Sequence, residues 1–284
     1  MIDIRQTQEY ADYLKCEGWI VARIENINYF IKKLPLIGSV LKIQRPEEIN
    51  FKTTEKLCRK YRVFQIILEP KSERDVKLLA SKGFKQSKSP YLPSKTLQID
   101  LTQPISKITA NFKKDARSTL LRASQDRGTS NIKEISSLSD LRKFHNAWRK
   151  SVKFTRFVPS LDSLINLRKN FPTHKPIILT SHNKSGSIIG GAIFTRSLHD
   201  YAYYWQGFTN NEGRTSLSQY SLVWKGLLWA KKVGCKIFDF EGIYDERFPN
   251  KSWLGFTHFK QSFGGKEVLY PGCYTKFRFP YFDR

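Results

Sequence analysis

The sequence predicts an α/β (α+β) fold in which mixed sheets are flanked by helices. Three observations carry that expectation. Strand-like runs of period two alternate with helix-like runs of period 3.6 along the chain. The 284 residues are 40% hydrophobic and 14% aromatic, enough to bury a sizeable core. That length suits about two domains of ordinary size or one large one, and two domains are expected, at 1–103 and 104–284.

In chain order, GWIVARI (18–24) and residues 39–43 read as strands, and the apolar-basic stretch 26–38 between them takes no assignment. Residues 53–60 read as a short helix, VFQIIL (63–68) as a buried strand stopped by Pro70, and 72–81 as a helix closed by Gly83. KTLQIDL (95–101) is a strand, and Pro104 and Ser106 open a long helix. Helices follow at 138–153 and 161–169, with Pro159 marking the break. Residues 176–182, 187–195 and 201–208 form a meander joined by turns at 183–186 and 199–200. A helix over 216–233, stopped by Gly234, leads into the strand KIFDF (236–240). This order of helices, meander, helix, strand, helix and strand resembles the GNAT acyltransferase fold, and the first hundred residues look like a shorter copy of it.

Lys and Arg number 49 against 25 Asp and Glu, a net charge of +24. Such an excess on a folding chain points to a polyanionic partner: nucleic acid, a phosphorylated substrate or an anionic membrane face. Between Lys107 and Arg156 there are 13 Lys and Arg against 4 acids, a local excess of +9. On a helical wheel Ile108, Phe112, Ala116, Thr119, Leu120 and Ala123 share one arc, whereas Lys107, Lys113, Lys114 and Arg117 share the other. The helix should therefore bury one face and offer a cationic one, for phosphate or for solvent alone.

Several chemistries lack their residues. The four cysteines are far apart with no CxxC, and the five histidines have no HxxxH spacing, so no metal site is expected and the thiols suit a reducing cytoplasm. Walker, GxGxxG and GxSxG motifs are missing. No run approaches the roughly 18 apolar residues of a membrane span, and the start MIDIRQTQEY lacks the features of a signal peptide. An acyl-CoA-dependent GNAT protein would carry a glycine-rich loop before its central helix, to wrap a pyrophosphate with backbone N–H groups. The corresponding TNNEGRTSLSQ (209–219) has one glycine, which argues against acetyl-CoA as donor and leaves no cofactor expected.

The segments ILEP (67–70), LLASKGF (78–84), PSKTLQIDL (93–101), FKKDARSTLLRA (112–123), KKVGCKIFDFEG (231–242) and FKQSFGG (259–265) occur in this order. Together they resemble the FemAB family of peptidoglycan bridge-forming aminoacyltransferases, in a compact form without the coiled-coil arm. The resemblance implies two GNAT-like domains. It also implies transfer of an amino acid from aminoacyl-tRNA to the amino group of a stem peptide, on a UDP-linked or lipid-linked muramyl pentapeptide precursor. Both partners are polyanions, which would account for the charge. A cytoplasmic monomer is expected, with peripheral contact at the inner membrane face and without DNA.

The reaction is aminolysis of an ester, in which negative charge develops on the carbonyl oxygen, and a donor aimed at that oxygen is worth about 3 kcal/mol. The resemblance assigns that place to Phe259 and Lys260 at the start of FKQSFGG, with Lys260 as oxyanion stabiliser; a packed helix end with a surface lysine is the plainer alternative. It assigns precursor phosphates to Lys15, otherwise an ordinary exposed lysine, and to Arg156, although KFTRFVPS lacks the Arg and Tyr that usually follow. Tyr203 and Tyr204 alternate along a strand, so one lines a channel and the other joins the core. Asp239 either holds the turn after its strand or orients the amine. Lys113, Lys114, Arg117 and Arg122 are the candidates for tRNA phosphate, with a structural ion pair as an equal alternative for the two arginines. Two rival functions remain: a GNAT-like N-acyltransferase acting on another amine, such as a lipid headgroup or polysaccharide sugar, and a non-catalytic RNA-binding protein.

Overall fold

The structure, a computed structural model, describes residues 2–125, 131–152, 157–197 and 200–278. Its first elements are α1 (Gln8–Cys16), β1 (Ile20–Ile24), β2 (Ile27–Leu34), β3 (Gly38–Gln44), α2 (Phe51–Tyr61), β4 (Val63–Glu69), α3 (Arg74–Ser81) and β5 (Lys85–Gln86). Then come β6 (Lys95–Asp100), α4 (Ile105–Ala110), α5 (Lys114–Gln125), β7 (Asn131–Glu134), α6 (Leu138–Ser151) and α7 (Leu161–Asn170). The meander is β8 (Ile177–His182), β9 (Ile188–Ser197) and β10 (Tyr201–Thr209). Last are α8 (Asn211–Thr215), α9 (Ser218–Lys232), β11 (Ile237–Asp239), α10 (Leu254–Gln261), β12 (Lys266–Leu269) and β13 (Tyr274–Phe277).

The chain divides into two compact units: residues 1–96, 244–252 and 268–284 in the first, and 97–243 and 253–267 in the second. The polypeptide thus returns to the first unit twice, at 244–252 and from 268 onward, where the sequence suggested a single cut after residue 103. The later return carries β13, which pairs antiparallel with both β4 and β5.

The first unit holds a six-stranded mixed sheet in the order β1-β2-β3-β4-β13-β5, with β3 parallel to β4. Residues 26–38, which the sequence left unassigned, contain β2. Ile27, Tyr29 and Ile31 are buried on its core-facing side, with Leu41 and Ile43 of β3 and Ile66 and Leu68 of β4 in the same cluster. Its pattern is obscured because Phe30 is buried as well and because Lys32 and Lys33 end the strand. The β1–β2 turn is also unannounced: Glu25 and Asn26 adopt left-handed φ values of 51° and 62° without a glycine.

The second unit holds a seven-stranded sheet in the order β12-β6-β11-β10-β9-β8-β7, in which β10 and β11 are parallel. Helix α9 lies on one face, where Leu222, Val223, Leu227 and Ala230 join Leu179, Ala192, Phe194, Ala202 and Phe238. Gly226 sets how closely α9 approaches, since a Cβ there would run into the Phe194 ring. Aromatic rings of Phe144 and Trp148 on α6 pack with Phe208 of β10, and a Cβ on Gly191 would collide with Phe144 and Phe208.

The long helix expected from Ser106 is broken into α4 and α5. The break is non-local in origin: the Lys113 N–H donates to the Ser262 carbonyl at 2.8 Å, and left-handed Gly264 (φ 69°) sits against the Asn111 carbonyl. Its faces are nonetheless as expected. Ile108, Phe112, Ala116 and Thr119 are buried, whereas Lys113, Lys114, Arg117 and Arg122 are exposed. Strand β7, also unanticipated, is a short polar edge whose one apolar residue is Ile132.

Candidate active site

The parallel ladder between β10 and β11 is short, running only from Tyr201–Ile237 to Tyr203–Asp239. One residue further along β10, its pairing with β9 slips between Tyr204 and Gln206, a bulge at Trp205 that re-aims the strand. Where the ladder stops, a cleft of about 1290 Å³ opens within the second unit, bordered by β10 from Tyr204 onward, by Glu241 after β11, by the α8 segment and by α10. Trp148 and Phe208, stacked at 5.7 Å, contribute an apolar wall.

The segment after β11 explains how a lysine comes to be buried here. The Asp239 carboxylate accepts from the Glu241 N–H at 2.7 Å and from the Gln98 side chain at 2.8 Å. It thereby supports a turn in which Glu241 and Gly242 take left-handed φ values of 53° and 110°. Two carbonyl oxygens then converge on Lys260 of α10, whose Nζ donates to Phe240 O at 2.7 Å and to Gly242 O at 2.6 Å. Lys260 is 7% exposed, and its Nζ lies 4.8 Å from the Phe256 ring centre and 5.6 Å from that of Tyr204. Burial depresses its pKa from 10.5 to about 8, against the opposing pull of Glu241 and Asp239. Below that pH the cleft contains a fixed cation in apolar surroundings, where charge acts most strongly.

Aromatic packing positions that lysine. Phe263, 1% exposed, contacts Phe112, Tyr220, Phe240 and Phe259 at ring-centre distances of 5.3 to 5.7 Å. Phe259 stands edge-on to Tyr220 at 4.9 Å and borders the cleft beside Lys260. On the β10 side, the Gln219 amide N–H donates to the Tyr204 hydroxyl at 2.5 Å, and Gly207 admits the pair because a Cβ there would collide with both. The Gln219 Oε1 is buried with no hydrogen-bond partner among the described residues. Burial raises the Tyr204 pKa well above its usual value, so its hydroxyl stays protonated.

In the segment 210–217, where a pyrophosphate-binding GNAT protein offers backbone donors, several amides bond within the segment. Asn210 caps α8, its Oδ1 accepting from the Gly213 N–H at 2.8 Å. The N–H groups of Arg214, Ser216 and Leu217 donate to the carbonyls of Asn210, Glu212 and Arg214. Gly213 is packed against the Ile189 carbonyl, so the one glycine of the loop serves its contact with β9.

Of the residues singled out from sequence, Lys260, Phe259 and Tyr204 meet at this cleft. Tyr203 is in the core, 1% exposed, between the rings of Tyr201 and Trp205. Asp239, also 1% exposed, holds the turn. Lys113, Lys114, Arg117 and Arg122 occupy the exposed face at the start of and along α5. Lys15 belongs to the first unit, on α1, exposed and paired with Asp12 at 2.8 Å. Arg156 lies outside the described residues. Sequence reasoning missed Gln219, Glu241 and Phe256. The first two lie inside segments already singled out, TNNEGRTSLSQ and FDFEG, where their polar character was the available signal. Among the described residues no cluster of His, Cys, Asp and Glu is suited to a metal ion, and no helix is long and apolar enough to cross a membrane.

No known family's sequence profile matches the chain. None of the curated protein sequences matches it either. Solved structures do match. FemX superposes with a TM-score of 0.79 at 14% identity, over 97% of this chain and 92% of that one. The C-terminal domain of a putative lysylphosphatidylglycerol synthetase from Agrobacterium fabrum gives 0.63 at 12% identity, over 96% and 88%. A tandem GNAT protein from the clavulanic acid biosynthesis pathway gives 0.54 at 9% identity, over 97% and 95%. At such identities the likeness is one of fold, and the chain has the FemAB-like GNAT fold, two mixed sheets flanked by helices.

Proposed function

We propose that the protein is an aminoacyltransferase that moves an amino acid from aminoacyl-tRNA to the amino group of a peptidoglycan precursor's stem peptide. The observation that carries this reading is the buried Lys260 ammonium, held by two carbonyls at the edge of a cleft formed where β10 and β11 stop pairing. In aminolysis a neutral amine attacks the ester carbonyl, a C–N bond forms, and the C–O bond to the terminal ribose breaks. The proton lost by the amine ends on the departing ribose hydroxyl. Negative charge gathers on the carbonyl oxygen between these events, and a preorganised ammonium beside it lowers the barrier. Two of the three Lys260 N–H bonds are engaged, which fixes the direction of the third.

Two further features support an aminoacyl-tRNA donor. Four amides of the α8 segment, those of Gly213, Arg214, Ser216 and Leu217, are spent on the segment itself, which suits a donor without a pyrophosphate at that place. The exposed lysines and arginines of α5 suit a nucleic-acid backbone. Charged tRNA is a cytoplasmic metabolite, and we place the reaction there. A second reading, a lipid headgroup as acceptor, is favoured by the likeness to a domain named for lysylphosphatidylglycerol synthesis.

One experiment separates these readings. The protein is incubated with a mixture of charged tRNAs and, in parallel, with UDP-linked muramyl pentapeptide, its lipid-linked form, or phosphatidylglycerol vesicles. Mass spectrometry of a muramyl product heavier by one aminoacyl residue supports the first reading. The same gain on the phospholipid alone transfers support to the second, and no gain on any acceptor refutes both.

A further inference from the structure

At one edge of the first unit's sheet, four neighbouring strands end together: the C-terminal ends of β2 and β13 and the N-terminal ends of β3 and β4. The β2–β3 turn at this edge carries Leu36 and Ile37, which are 107% and 62% exposed. Phe277, the last residue of β13, is 65% exposed at the same edge. Scattered exposed apolar residues are ordinary, but these belong to adjoining strand ends. Leu36 has φ 67°, a left-handed conformation in which asparagine or glycine would be less strained, so the turn itself does not call for leucine.

The charge at the turn and at the end of α2 is positive. Lys33 precedes the turn, and Lys60 and Arg62 lie at the end of α2, all exposed. The Arg62 carbonyl accepts from the Ser39 N–H at 3.0 Å, which fixes the α2–β4 corner beside the tip. The nearest acid on α2 is Glu55, which faces Arg59 and Arg278. No acid occurs in the turn or between Arg59 and Arg62.

We infer that this edge is a membrane-docking surface, with Leu36 and Ile37 inserted among the headgroups of an anionic bilayer and Lys33, Lys60 and Arg62 resting on them. A projecting apolar turn matches the penetrable surface of a bilayer, whereas protein partners more often meet flat or concave patches with buried centres. Each cation near an anionic leaflet raises partitioning about fivefold, and the effect vanishes with salt. The inference is independent of the reaction at the cleft.

The test is flotation of the whole protein with vesicles of phosphatidylcholine alone or with about 30% phosphatidylglycerol. Binding to the anionic vesicles is expected, weakened by salt and about tenfold or more weaker on neutral ones. Leu36→Asn/Ile37→Asn should keep the melting temperature and lose binding about tenfold or more. Undiminished binding by that variant overturns the inference, as does no binding to either vesicle. So does binding that survives the turn variant but is lost in Lys114→Glu/Arg117→Glu, which would move the contact to α5. A dimer in sedimentation that the turn variant dissociates, without vesicle binding, would instead make the edge a contact between copies.

Discussion

Replacing Lys260 by methionine removes the buried ammonium and keeps most of the side chain's volume. The variant leaves the carbonyls of Phe240 and Gly242 without this donor, at about 1–3 kcal/mol each if nothing replaces it. It also relieves the protein of a charge held where charge is unfavourable. The displacement of the lysine pKa from 10.5 to about 8 corresponds to about 3 kcal/mol. Between those two pH values the unfolded chain still binds the proton that the folded chain has released, so this group makes stability rise with pH. At pH 7 the two effects nearly offset, and the variant should lose at most about 3 kcal/mol. By pH 10.5 the wild-type lysine is neutral and still donates, and its advantage over methionine should have grown by about 3 kcal/mol. Urea unfolding of both proteins at several pH values from 7 to 10.5 measures that difference. Parallel stability curves would refute the claim that Lys260 is charged at neutral pH and buried. Transfer activity adds a second readout: at pH 7 the rate should fall about 10²- to 10³-fold, and the wild-type rate should decline as pH rises through about 8.

Phe263→Ala empties the centre of the aromatic cluster behind Lys260 and should cost about 3–5 kcal/mol in chemical unfolding; a cost under about 1 kcal/mol would mean the cluster is loosely packed. Lys114→Glu/Arg117→Glu should weaken tRNA binding and make its logarithmic salt dependence shallower by about 2, as expected for two lost phosphate contacts. An unchanged slope in filter binding would place the tRNA elsewhere.

The sequence was most readable where a single element determined its own pattern. The apolar runs of β4, β8 and β9 and the amphipathic α6 announced themselves because their burial is continuous or strictly periodic. Elements set by distant partners were hidden. The gap between α4 and α5 depends on Ser262 and Gly264, about 150 residues later, and no local signal in KITANFKKD ends a helix. Strand β2 was masked by its lysines and its glycine-free turn. At the candidate site, resemblance singled out Lys260, but not the two carbonyls that bury it, because these come from a turn after a three-residue strand. Alternation required Tyr203 and Tyr204 to face opposite ways. Packing in the core decided which faced the cleft.

The place of β13 in the first sheet has a consequence for synthesis. Strand β4 leaves the ribosome early, but one of its two hydrogen-bonding neighbours, β13, is translated only after every strand of the second sheet. At about 5–20 residues per second the interval is roughly 10–40 s. During it β4 presents an open edge, a template for mispairing with other nascent chains. The second unit, whose residues are complete by position 267, can finish folding first. The order of maturation should therefore run against the order of translation, and a chaperone that shields exposed strand edges should raise the yield of the first unit more than that of the second.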